Sequence, residues 1–511
     1  MDDLIYHTRY WVEQDPQRLA FRMCDSGEDV SFAQLEARAN QGAHLLRGLG
    51  LKRGDHILVL MENRREFLEV CFAADRAGLY YTTASTHLSA DELTYMTRDC
   101  GAGVVIVSDR FADRIARLHQ DIAGLRVLVV GEKVEGCDNW SAIAAEQPET
   151  PIADESQGLD MLYSSGTTGR PKGIKWEMTD TPAGGRTMLI DLLGGLFGYS
   201  REARYLSPAP LYHAAPLRHS MVTIKSGGSV FIMSKFDAEG ALKLIERHRI
   251  THSQWVPTMF VRLLKLPEAL RAKYDVSSLR MAVHAAAPCP VEVKQRMIEW
   301  WGPVIHEYYA GTENNGFTAI DTAEWLSHVG SVGRAKLGKI HICDESGEEL
   351  PIGSEGEIYF ENGHQFTYHN DPAKTAASRN AQGWTTLGDI GRVDEEGYLY
   401  LTDRKSFVII SGGVNIYPQE TENALLDHPA VLDVAVIGVP NEDFGEEVKA
   451  VVQTVAGQQG SPALEVELIE WCRARLSAIK CPRSVDFRST LPRTETGKLV
   501  KRQLWREYRG L

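Results

Sequence analysis

Apolar and polar positions in the first hundred residues alternate between two textures. Ser31-Phe32-Ala33-Gln34 has the spacing of a helix capping box. Leu35, Ala39, Leu46 and Leu49 follow at helical intervals, with Gly50 where the helix should end. Lys52-Arg53-Gly54-Asp55 reads as a turn, and His56-Ile57-Leu58-Val59-Leu60 as a buried strand. A second helix is expected from about Arg65 to Ala77, stopping near Gly78, and residues 103–107 form another short apolar strand. This βαβα rhythm predicts parallel sheets covered by helices.

The texture changes twice further on. Around 330–400 short strands alternate with turns such as Glu345-Ser346-Gly347-Glu348 and Asp394-Glu395-Glu396-Gly397, which suits a small β-rich subdomain. From Pro418, placed to open a helix, the order is helix, strand, strand, helix. Residues 434–439 and 450–455 are the strands. Leu464, Leu468, Trp471, Cys472 and Leu476 make one helical face. The predicted fold class is α/β. A small β-rich subdomain follows the α/β part, and the residues after Arg404 suffice for a compact α+β domain.

A chain of 511 residues exceeds one compact core. Its 43% hydrophobic and 24% charged residues are ordinary for a globular protein. The net charge of -14 argues against a nucleic-acid partner, which would need a basic face. No run of roughly 18 apolar residues predicts a transmembrane helix. The acidic start Met1-Asp2-Asp3 lacks the basic segment of a secretory signal. Eight scattered cysteines without CxxC pairs read as reduced thiols, and the cytoplasm is the expected location. Nothing fixes an oligomeric state; a homodimer stays open.

The strongest local signal is Tyr163-Ser164-Ser165-Gly166-Thr167-Thr168-Gly169-Arg170-Pro171-Lys172-Gly173. Its small residues allow close approach of a ligand. Exposed amides and hydroxyls can wrap phosphate oxygens, while Arg170 and Lys172 add positive charge. The spacing is not that of a Walker A loop, because Gly173 stands where Ser or Thr should follow the lysine.

This string resembles the signature of the adenylate-forming superfamily, which includes acyl- and aryl-CoA synthetases, peptide-synthetase adenylation domains and luciferases. Further blocks resemble the family in order along nearly the whole chain: Pro210-Leu211-Tyr212-His213, Tyr308-Tyr309-Ala310-Gly311-Thr312-Glu313, Thr386-Leu387-Gly388-Asp389, Asp403-Arg404-Lys405, Ser411-Gly412-Gly413-Val414-Asn415-Ile416-Tyr417-Pro418 and Pro492-Arg493-Thr494-Glu495-Thr496-Gly497-Lys498. The resemblance implies a large N-terminal adenylation domain over 1–403, built of two α/β subdomains and the β-rich one, a hinge at 404–407 and a small mobile α+β C-terminal domain over 408–511.

It also implies an activity. A carboxylic acid reacts with ATP to give an acyl-adenylate, which then passes its acyl group to CoA; Mg²⁺ accompanies the nucleotide. Ser164, Ser165, Gly166, Thr167, Thr168, Gly169 and Lys172 would form the phosphate loop. Thr312 would donate to the α-phosphate, and Glu313 with Thr168 would hold Mg²⁺. Tyr309 would stack on adenine beside Ala286 and Ala287, and Asp389 would accept from the ribose hydroxyls with Arg404 nearby. Lys498 would bridge carboxylate and α-phosphate. His213 would gate the acyl pocket, lined by His284, Ala285, Ala310, Gly311, Gly316 and Phe317. Taken singly, a Thr-Glu pair is a helix start, a Gly-Asp pair a turn, and a lysine on a Thr-Gly loop before the helical Leu499-Val500-Lys501-Arg502 a solvated one; the shared order gives them roles.

The CoA face would use Gly412, Gly413, Phe444 and Lys480. The chain departs from pattern at the hinge, where Ser406 replaces Asp or Lys. It departs on the CoA face too: Phe444 replaces the Trp of some aryl-CoA ligases, and Cys481 replaces Arg. An amine acceptor, giving an amide, would use every ATP motif equally. Whether the acid is linear, aryl or polycyclic does not follow from the sequence.

Overall fold

The computed structural model describes residues 5–164, 171–404, 407–411, 414–441, 443–493 and 499–510. The chain forms two compact units. One contains residues 1–255, 266–283 and 365–375; the other contains 256–265, 284–364 and 376–511.

The first unit carries the predicted βαβα rhythm. Its parallel sheet runs in the order Asp138–Asn139, Arg126–Val130, Ala102–Ser108, His56–Leu60, Tyr80–Thr83 and Leu159–Asp160. All five residues of His56–Leu60 are buried, as expected for a strand covered on both faces. The helix Phe32–Gly48 opens with the predicted capping box at Ser31, and Arg65–Arg76 ends before Gly78, whose φ is +65°. Leu19–Met23, Ser229–Ile232, Arg204–Ser207 and His252–Trp255 pair in parallel as part of a second sheet. A small antiparallel sheet joins Leu162–Ser164, Lys172–Lys175 and Thr367–Tyr368.

The second unit is richer in antiparallel strands. Ile305–Tyr309, Phe317–Ile320 and Arg334–Leu337 pair in that order. The expected β-rich segment is a four-stranded sheet of Lys339–Cys343, Gly356–Glu361, Thr385–Val393 and Leu399–Arg404. Near the C-terminus, Val431–Asn441 and Gly445–Thr454 form a long hairpin, with Ser484–Phe487 parallel to its second strand. Pro418 opens the helix Pro418–Leu426, as its position predicted.

Two local expectations change. The helix Pro462–Arg473 buries Leu464, Leu468 and Cys472 but ends before Leu476. Leu499 and Val500 are not helical: Leu499 bridges Arg493 in antiparallel fashion, and the helix begins only at Lys501. That backbone pairing holds Leu499 extended, overriding its helix propensity.

Candidate active site

In the first unit, the stem of the Ser/Thr/Gly loop is a two-strand ladder. Ser164 lies opposite Lys172, and Tyr163 opposite Gly173, so the loop leaves and returns at one level. The Lys172 ammonium lies 5.7 Å from the centre of the Tyr368 ring, within cation–π range. His213 stands at the start of the helix Ala214–Lys225, its ring 4.5 Å from that of Tyr212. The approach to His213 is stapled by Asn63. Its amide donates to the carbonyls of Ala209 (3.0 Å) and Met233 (2.8 Å), and its Oδ1 accepts from the Leu211 amide (2.7 Å). Sequence reasoning missed Asn63. It lies far from His213 in the chain, and a lone Asn before a helix reads as a cap.

The second unit contains a cavity of about 270 Å³, lined by Ala286, Ala287, Tyr309, Ala310, Gly311 and Asp389, among others. These are six of the expected nucleotide- and acyl-site residues, drawn from three separate segments. The Tyr309 hydroxyl donates to the Asp389 carboxylate at 2.7 Å. Gly388, at φ +78°, precedes Asp389 within the strand Thr385–Val393, and its amide donates to Thr386 Oγ1 (3.0 Å). Ala286 has φ +77°, a region that disfavours a side chain by about 1–3 kcal/mol and clusters at functional sites. Thr312 and Glu313 form a turn after the strand, not a helix start, closed by the Asn314 amide on the Gly311 carbonyl. A Cβ on Gly311 would come within 2.4 Å of Leu387 Cδ1 and 2.7 Å of the Glu313 carboxylate, so both side chains would have to move.

Glu307, which also lines the cavity, takes part in a buried ion pair. Lys294 Nζ donates to Glu307 Oε2 at 2.6 Å, and His284 Nε2 is 3.5 Å from the same oxygen. Burial pushes the His284 imidazole well below its ordinary pKa. His284 and Ala285 are buried, and neither is among the residues that line the cavity. Gly316 packs under Phe360, where a Cβ would meet the ring at 2.1 Å, and Phe317 is buried in a stack with Tyr308 at 4.8 Å. These two also do not line the cavity.

On the expected CoA face, Phe444 is 41% exposed and the Arg483 guanidinium lies 4.3 Å from its ring centre. Lys480 is engaged by Glu420 at 2.8 Å. Cys481 is buried, which pushes its thiol pKa up. Ser165, Gly166, Thr167, Thr168, Gly169, Ser406, Gly412, Gly413, Lys498 and the Arg404 side chain lie outside the described residues. In backbone register, position 404 lies opposite Asp389. The described residues contain no cluster of three or more His, Cys, Asp or Glu side chains able to hold a metal ion. No described helix is long and apolar enough to cross a membrane.

Comparison with known families decides the class. The profile of the AMP-binding enzyme family matches residues 8–367, and that of the AMP-binding enzyme C-terminal domain matches 420–498. The chain belongs to the AMP-binding enzyme family. Within it the chain is similar to a feruloyl-CoA synthase of an Amycolatopsis species, at 32% identity over 94% of each chain. A long-chain-fatty-acid–CoA ligase of Mycobacterium tuberculosis is also 32% identical, over 94% of this chain and 93% of its own. Among solved structures, an amide bond synthetase of Marinactinospora thermotolerans superposes with a TM-score of 0.82. It is 25% identical and covers 99% of this chain and 100% of its own. As an AMP-binding enzyme of the acyl- and aryl-CoA ligase branch, the chain is an AMP-forming acyl-CoA synthetase.

Proposed function

We propose that this enzyme joins a carboxylic acid to CoA at the cavity lined by Tyr309, Gly311 and Asp389. In the first step a carboxylate oxygen attacks the α-phosphorus of ATP, the bond to the bridging oxygen breaks, and pyrophosphate leaves. Two anions must approach, so placed cations and donors matter more than covalent help. In the second step the CoA sulfur attacks the acyl carbon and AMP leaves with the electron pair of the broken C–O bond.

The observation that carries this reading is the convergence of Ala286, Ala287, Tyr309, Gly311 and Asp389 on one cavity. Tyr309 offers a flat ring to the adenine. Asp389 offers acceptors to the ribose. Thr312, one residue beyond Gly311, donates to the α-phosphate. Lys498 bridges the carboxylate and the α-phosphate, and Ser164 and Lys172 with the intervening loop bind the β- and γ-phosphates. His213 separates the carboxylate position from the thiol position. Residues 408–511 turn about 404–407 between the steps, presenting Gly412, Gly413 and Phe444 to CoA; Lys480 must exchange Glu420 for a phosphate to join them.

Magnesium suits this site through the nucleotide. Glu313 is buried, the described residues hold no group of three or more side chains able to cage a metal, and one carboxylate plus substrate phosphates is how magnesium is commonly held. Bound there with Thr168, the ion would neutralise charge on the departing pyrophosphate.

The acid is aryl or aliphatic, the classes named by the two CoA-ligase relatives. The likeness to an amide bond synthetase favours an amine acceptor as the second reading. Purified enzyme with ATP and Mg²⁺, offered a panel of aryl, aliphatic and polycyclic acids with and without CoA, separates them. The thioester should form only with CoA, and Lys498→Ala should lower adenylate formation about 10²–10³-fold. AMP without thioester, and an amide when an amine is added, would favour the second reading. Wild-type adenylation by Lys498→Ala would sink both.

A further inference from the structure

In the first unit, the strand that returns from the Ser/Thr/Gly loop carries lysines on both of its faces. Ile174 lies opposite Tyr368, and Lys175 opposite Thr367. Side chains alternate along a strand, so Lys172 and Ile174 share one face with Tyr368, while Lys175 lies on the other with Thr367. The Lys172 ammonium over the Tyr368 ring agrees with that placement. His369 follows Tyr368, and its amide donates to the Gly173 carbonyl at 2.8 Å.

On its own face Lys175 meets the first residues of the parallel sheet. Its ammonium donates to His56 Nε2 at 3.2 Å and lies 4.6 Å from the centre of the Tyr80 ring. The His56 imidazole is stacked on the same ring at 4.6 Å, and the His369 ring is 6.0 Å from that of His56. One ammonium and two imidazoles are thus brought together from three separate segments.

Among the described residues no carboxylate forms an ion pair with any of the three. Asp55 and Asp99 are the acids that act on the imidazoles, and each is engaged elsewhere. Asp55 accepts from the Lys52 amide at 2.7 Å, and Asp99 from the Tyr163 hydroxyl at 2.6 Å. An ammonium can only donate, so His56 Nε2 is the acceptor and Nδ1 carries the hydrogen. That Nδ1 is buried with no partner among the described residues, and a buried donor left unmet calls for a water or an ion. The crowding shows in the titration of the cluster. Burial, Lys175 and His369 push the His56 pKa down to about 4, burial and Lys175 lower that of His369, and burial lowers that of Lys175.

We propose that Lys175, His56 and His369 form a binding site for a tetrahedral oxyanion, of which inorganic phosphate is the simplest. The anion supplies the negative charge that the cluster lacks, through charge-assisted hydrogen bonds. The site lies on the opposite strand face from Lys172 and is independent of the phosphate loop proposed above. A bound anion favours the protonated imidazoles, so binding takes up protons and tightens as pH falls.

Sulfate is the probe, because its charge does not change between about pH 6 and pH 8, and calorimetry on the full chain is the measurement. The proteins compared are the wild type, Lys172→Met, Lys175→Met, Lys175→Arg and His369→Gln. Lys172→Met should keep the site, with sulfate bound several-fold more tightly at the lower pH and a heat that depends on the buffer. Lys175→Met should weaken that binding roughly tenfold or more, the worth of one hydrogen bond to a charged group. Lys175→Arg keeps the charge and should stay within threefold of the wild type. His369→Gln should bind as the wild type does at the higher pH and lose part of the gain at the lower one; it carries the test should Lys175→Met fold poorly. Orthophosphate and AMP are titrated in parallel. Loss of orthophosphate binding in Lys175→Met marks a free ion as the occupant, loss of AMP binding marks a phosphate carried on a nucleotide, and either supports the oxyanion site. The site is overturned if sulfate binds Lys175→Met and His369→Gln as it binds the wild type, if its affinity is the same at both pH values, or if Lys172→Met alone abolishes it.

Discussion

At the scale of single residues, Tyr309 and Asp389 illustrate how the cavity is pre-arranged. The hydroxyl of one already engages the carboxylate of the other at 2.7 Å, so under the proposed assignment Asp389 would be aimed before a ribose arrives. A hydrogen bond to a charged group contributes about 1.5–3 kcal/mol, or roughly 10–100-fold. Asp389→Ala should therefore raise the KM for ATP by about that factor, leaving the KM for the acid nearly unchanged. Tyr309→Phe removes only the aiming contact and should have a smaller effect in the same direction. ATP affinity of Asp389→Ala within twofold of wild type would remove Asp389 from the ribose site. The two residues were legible as motif members in the sequence. Their mutual hydrogen bond was not, because 80 residues separate them. Asn63 was illegible for the same reason, since its partners lie more than a hundred positions away.

At the scale of elements, the helix Val291–Trp301 is held to the strand Ile305–Tyr309 by the Lys294–Glu307 pair. Both side chains are almost fully buried. Removing one partner of such a pair leaves an uncompensated charge and costs about 3–5 kcal/mol. Lys294→Met should lower thermal stability by that order. Burial raises the Glu307 pKa, and Lys294 opposes the shift; without the lysine the rise should be larger. A carboxyl whose folded pKa is raised favours the folded state at low pH and disfavours it as pH rises through that pKa. The variant should thus melt at a higher temperature at pH 5 than at pH 8. Equal melting at both would show that Glu307 finds another cation. The same logic explains why Leu499 escaped the helical reading. Propensity speaks for single residues, but backbone pairing with Arg493 decided that stretch.

At the scale of the whole molecule, the segment after the proposed hinge has apolar clusters of its own. Ile409, Leu425, Val436, Val452, Leu468 and Val485 pack in one, and Ala435, Val451, Leu491 and Leu504 in another. Neither needs a residue before 408. Residues 408–511 expressed alone should therefore melt cooperatively, as checked by calorimetry. A fragment with no cooperative transition would mean that 376–403 belongs to the same folding unit. The order of strands and helices, the capping box at Ser31, the turns at Gly50 and Gly78, and the blocks that carry the family likeness were all written locally. Each depends on neighbours within a few positions, and so the sequence alone determined them, along with the reaction class they imply. The tertiary structure decided what depends on distance. It chose which predicted site residues share the cavity, left His284 and Phe317 out of its lining, buried Lys294 against Glu307, and brought Lys265 to Val431. Those outcomes follow from packing between remote segments, where burial and pairing energies exceed any local preference, and no periodicity along the chain encodes them.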